Sequence, residues 1–167
     1  MKSGDLVEFR STGLLGSIVR KFTGEDVNHS AIVFRIDDYK FIKDRVFLID
    51  ARSMGLEITA FSERLLGYEG EVYWYKLKAD DTQRDMLISY AISLATKKRE
   101  DKLYDYAGLF ENMFHRVGVD MSKVFCSEVY HVCLMVAGIV PAVDQCCRPG
   151  EFTRLGVHEP RKLIYEL

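Results

Sequence analysis

The sequence predicts an α+β fold, with mostly antiparallel strands in its first half and helices in its second. Three observations predict it. Short β-rich runs, "DLVEF", "HSAIVFRI", "RVFLIDA" and "EVYWYKL", all fall within residues 1–77. The connection between residues 36 and 45 is too short for a parallel crossover, which takes a dozen or more residues. Beyond residue 80 the apolar residues recur at helical spacing over long stretches. Strands followed by helices, rather than strands alternating with helices, is the α+β pattern.

The elements follow in order. Residues 5–9 alternate and read as a strand. In 12–24, Leu15, Ile18, Val19 and Phe22 lie at helical spacing, and Gly24 is a natural stop. Residues 29–36 read as a strand, 37–44 as a turn with short extensions of the flanking strands, and 45–51 as the next strand, antiparallel to 29–36. Residues 53–59 hold a Gly turn and a short strand, 60–67 a short helix or turn, and 71–77 an aromatic strand. Residues 80–100 predict a helix capped by Asp80 or Asp81, with Met86, Leu87, Tyr90 and Leu94 as its apolar stripe. Its basic end, "KKRE", reads as a solvated terminus. Residues 104–118 predict a further helix. Residues 124–140 predict one that is apolar on most sides and therefore central. The tail is loop-rich and ends in the strand "KLIYEL".

Composition narrows the function. At 167 residues, 1–167 reads as a single domain, and 48% hydrophobic residues suffice for a core. A net charge of -2 supplies no basic field, so nucleic acid is not an expected partner. No signal peptide is visible, and no apolar run reaches the ~18–20 residues of a membrane span. The expected localisation is cytoplasmic. The four cysteines, Cys126, Cys133, Cys146 and Cys147, form neither a CxxC pair nor a four-ligand zinc spacing, and are expected to be reduced. Oligomeric state has no sequence signal.

Cys126 opens the 124–140 helix. Unpaired N–H groups and the positive helix end favour the thiolate there, which is the reactive form. The same position also suits a small buried hydrophobe. Four histidines are available as a base. His131 lies five residues beyond Cys126, roughly 140° around the helix. His115 sits in a polar stretch, and His158 follows Gly156 and Val157 in the tail. His29 begins a strand, where it reads either as a polar strand cap or as a base. Alternation puts His29, Ala31 and Val33 on one face, and the small residues there leave room for the Cys126 helix. A base needs an orienting acceptor. Asp50, ending the neighbouring strand in "FLIDA", either starts a turn or turns toward the His29 ring. His29 and Asp50 alone supply only two ligands, too few for a metal site.

These residues carry a resemblance. "GDLVEFR", "GLLGSIVRKFTGEDVNHSAIV", "VFLIDARSMGLEI", "YDYAGLF", "FCSEVYHVCLMVAGI" and "CRPGEFTRL" follow one another in the order of a known family. The sequence resembles the circularly permuted branch of the NlpC-type papain-like superfamily, the YiiX-like proteins, relatives of lecithin retinol acyltransferase. The resemblance spans nearly the whole chain. It implies a permuted papain-like α+β domain, with a cysteine helix packed on an antiparallel sheet. It also implies Cys126 as nucleophile, His29 as base and Asp50 as orienter, a position where the family more often has glutamate. Tyr104 matches a site-lining tyrosine that helps the oxyanion, with Tyr106 competing for that place. Ser127 supports the helix start, and Glu128 makes a structural hydrogen bond or salt bridge.

The implied activity is a cysteine hydrolase or acyltransferase acting on an amide or ester through an acyl-enzyme, with no cofactor. Its substrates would be peptides, cell-wall peptides or lipid acyl groups. Met54, Leu56, Phe61, Leu65 and Leu66 read either as the wall of an apolar groove for an acyl chain or as core packing. The alternative to an enzyme is a binding or scaffold protein that keeps the fold.

Overall fold

The computed structural model describes residues 1–39, 42–52, 55–96, 125–143 and 146–167. Among them, six strands form one antiparallel sheet in the order β4-β3-β2-β1-β5-β6. The strands are β1 (Leu6–Ser11), β2 (His29–Tyr39), β3 (Ile42–Arg52), β4 (Gly55–Ala60), β5 (Gly70–Tyr75) and β6 (Lys162–Glu166). The helices are α1 (Leu14–Thr23), α2 (Phe61–Leu65), α3 (Asp81–Thr96) and α4 (Phe125–Val136), followed by a 3-10 turn at Glu151–Leu155. The helix predicted over 104–118 lies outside the described residues.

Alternation divides the sheet into two faces, each buried. Leu6, Ile32, Ile49 and Tyr75 point to one face and pack with Leu87, Ala91 and Leu94 of α3 and with Cys126, Tyr130, Cys133 and Leu134 of α4. Val7, Phe9, Ala31, Val33, Leu48 and Val72 point to the other, covered in part by Phe61 and Leu65 of α2 and by Tyr68. The α4 helix therefore sits on the Ile32 and Phe34 face, not on the Ala31 and Val33 face. Residue size misled here. Ala31 and Val33 share their face with Phe9, Leu48 and Val72, and Phe61, Leu65 and Tyr68 pack against that cluster in place of α4.

Other expectations also change. The extensions within 37–44 take up most of that stretch, because β2 and β3 stay paired as far as Tyr39↔Ile42. Arg35 reaches Asp37 at 2.6 Å and Asp44 at 2.5 Å. Such pairs hold a polar ladder together where no core supports it. The helix α4 stops at Val136 rather than 140, because Gly138 turns left-handed (φ 65) and its N–H returns to Met135. Along α3 the buried face carries Arg84, Leu87, Ile88, Ala91 and Leu94, while Met86 is exposed.

The buried Arg84 answers a buried carboxylate. Asp5, just before β1, accepts from Arg84 Nη1 (2.9 Å), Trp74 Nε1 (2.9 Å), the Leu77 amide (3.1 Å) and the Lys2 amide (2.8 Å). One side chain thus ties the start of β1 to the end of β5 and to α3. A buried charge is tolerable when it is paired and its lone pairs are used, as here.

Candidate active site

The pairing register builds the site. Phe9↔His29 and Ala31↔Asp50 are directly opposite, so His29 and Asp50 lie diagonally across β2 and β3 on one face. His29 Nε2 donates to Asp50 Oδ1 at 2.5 Å. Asp50 is fully buried, and its second oxygen, Oδ2, accepts from Arg64 Nε of α2 at 3.0 Å. The Arg64 guanidinium lies over the Phe9 ring at 4.6 Å, and Phe9 also packs on the His29 ring at 5.7 Å.

The structure brings Cys126 to this pair. Its thiol is within hydrogen-bonding reach of the His29 ring. Since Nε2 is taken by Asp50, the free ring nitrogen, Nδ1, is the one left for sulfur. The contact joins helix to strand although α4 packs on the other face, because His29 opens β2 and Cys126 stands at the head of α4.

The electrostatics follow from this geometry. Burial works against a charged His29 imidazole. The Cys126 sulfur and the Asp50 carboxylate outweigh it, and the ring is held well above the ordinary histidine range. Asp50 shows the mirror image: burial favours its neutral form, but His29 and Arg64 hold the carboxyl below its usual value. The arrangement suits a charged imidazole with a fixed carboxylate behind it.

The remaining residues sort clearly. Ser127 is buried next to Cys126 at the head of α4. Tyr104, Tyr106 and His115 lie outside the described residues, as does Met54. Glu128 is buried, its Oε2 has no hydrogen-bond partner among the described residues, and burial pushes its carboxyl up to about 8. His131 is a buried acceptor for the Cys147 amide, and His158 is buried against the Tyr130 hydroxyl (2.8 Å), where burial lowers it to about 4. The supposed apolar groove does not assemble. Leu56 is in the helix-side core, Phe61 and Leu65 pack on the opposite face, and Leu66 is 86% exposed.

Sequence reasoning missed Arg64. Its only sequence signal is a cation in a short helix directly after β4, the strand paired to β3, and that signal has meaning only once the register is known. No helix among the described residues is long and apolar enough to cross a membrane.

No protein-family model and no curated protein matches the chain. A solved structure does: the metalloprotein yiiX from Escherichia coli O157:H7, DUF1105. The match has a TM-score of 0.57 at 15% sequence identity and covers 83% of this chain and 67% of that one. The chain shares the fold of yiiX.

Proposed function

We propose that the protein is a cysteine-dependent hydrolase or acyltransferase with a circularly permuted papain-like fold. The observation that carries the reading is the His29 ring, held between the buried Asp50 carboxylate and the Cys126 sulfur. A strand cap needs neither partner. Cys126 is the nucleophile, His29 the base and Asp50 the group that orients the base.

The proton of Cys126 passes to His29, and the thiolate attacks an amide or ester carbonyl. As the new C–S bond forms, the oxyanion is met by the Cys126 amide, with Tyr104 proposed as a second donor. His29 then gives its proton to the departing amine or alcohol as the C–N or C–O bond breaks. Water or a second nucleophile, deprotonated by His29, releases the acyl group from sulfur. The substrate class is a peptide, a cell-wall peptide or a lipid acyl group. The fold neighbour is described as a metalloprotein. Among the described residues here, no cluster of three or more His, Cys, Asp or Glu is placed to hold a metal ion, and no step is routed through one.

The test is intact-protein mass spectrometry after exposure to acyl esters, acyl amides and wall peptides. An acyl adduct on Cys126, absent in Cys126→Ala, is the expected result. No adduct from any class, with Cys126 alkylating no faster than free cysteine, would return the chain to a binding or scaffold role.

A further inference from the structure

Asp50 has two carboxylate oxygens, and only one of them faces His29. The other is not left to water. It takes Arg64 Nε at 3.0 Å, and Asp50 itself is fully buried. Arg64 is in turn fixed from a second side, because its guanidinium lies 4.6 Å from the centre of the Phe9 ring and 5.6 Å from that of Tyr68. Phe9 and Tyr68 meet edge to face at 5.4 Å, so they form a rigid bed for the cation. Phe9 also touches His29, its directly paired neighbour in the sheet. Cation, carboxylate, imidazole and aromatic ring therefore close a loop of contacts.

We infer that Arg64 is a positioning residue for the base: by holding Oδ2 it fixes the rotation of the Asp50 carboxylate that presents Oδ1 to His29. This rests on the proposed cysteine chemistry, and it names a residue that the chemistry does not itself require. An aspartate has one methylene fewer than a glutamate, so its carboxylate has less reach and depends more on how it is aimed. Arginine suits the task because its planar head bonds a carboxylate through its edge while stacking on a ring through its face. Lysine, a point charge without a planar fork, does not aim a carboxylate by its edge while lying flat on a ring. Arg64 touches neither the thiol nor a substrate carbonyl in this scheme. It acts through Asp50 alone.

That exclusivity is testable without a known substrate. The probe is iodoacetamide, and the measurement is the rate of Cys126 alkylation across pH 5–9 for the full chain. Arg64→Met should slow alkylation at pH 6 about tenfold and displace the profile toward that of Asp50→Ala. Arg64→Lys should fall between Arg64→Met and the parent. The double variant Asp50→Ala/Arg64→Met should match Asp50→Ala alone, because a residue acting only through Asp50 has nothing left to act on. Thermal melts of each variant set the folded fraction, and the rates are compared within it. If Arg64→Met keeps the parent profile, or if its effect adds in full to that of Asp50→Ala, Arg64 is merely structural and the inference fails. A parent chain that alkylates no faster than free cysteine at pH 6 overturns the cysteine chemistry instead. The two failures are thereby separate.

Discussion

Glu8 shows how one buried side chain sets a pH dependence. It stands on the helix face of β1, wholly buried, and accepts from the Gly150 amide at 2.7 Å and the Ser30 hydroxyl at 3.2 Å, both through Oε1. Its Oε2 and the Tyr75 hydroxyl have no hydrogen-bond partner among the described residues. Burial raises its carboxyl to about 7. The folded chain therefore binds a proton that the unfolded chain has released, so this group lowers stability as pH rises from about 4.5 to about 7. Glu8→Gln keeps an acceptor for Gly150 and Ser30 and removes the charge. At pH 8 it should stabilise the fold by up to the order of 3 kcal/mol, and at pH 4 by almost nothing, as read by urea unfolding at the two pH values. Asp50 has the opposite sign. Its lowered value contributes stability above the ordinary carboxylate range, and that contribution is lost as pH falls through the depressed value. The sequence shows both carboxylates inside apolar strands, but not which of them meets a cation.

At the scale of elements, the strands were legible and their surroundings were not. Alternation and a short connection suffice to pair β2 with β3 antiparallel, and that register alone puts Asp50 within reach of His29. Helical spacing likewise places Cys126 at the head of a helix. Alternation names two faces, however, and does not say which layer covers each; α4 packs on the Ile32 side, and Phe61, Leu65 and Tyr68 pack on the Ala31 side. Gly70 is a further feature that only coordinates reveal. It opens β5 opposite Ser11 with φ 139, and a Cβ there would meet the Arg10 carbonyl oxygen at 2.1 Å. Backbone cannot step aside as a flexible side chain can. Gly70→Ala should therefore cost about 2–4 kcal/mol by thermal or urea melts, with the β1–β5 amides losing hydrogen-exchange protection first.

Across the whole molecule, Asp5 is the tie between sheet and helices. Asp5→Ala would leave Arg84 buried without its anion and strip partners from Trp74 and the Leu77 amide. The expected loss is about 3–5 kcal/mol, measured by urea unfolding. Asp5→Asn, which keeps an acceptor, should lose less. The order of the chain has its own consequence. His29, Asp50 and Arg64 all come from β2, β3 and α2, whose pairings are local hairpins, whereas Cys126 comes from α4. Local contacts form early in folding and distant ones late. In this sequence the proposed base, its carboxylate and its cation come before the first cysteine, Cys126, and so leave the ribosome ahead of it. The thiol meets the imidazole only when the last long helix docks. Under the proposed chemistry the order of the polypeptide acts as a safety catch: nucleophile and base meet only once α4 has docked on the sheet.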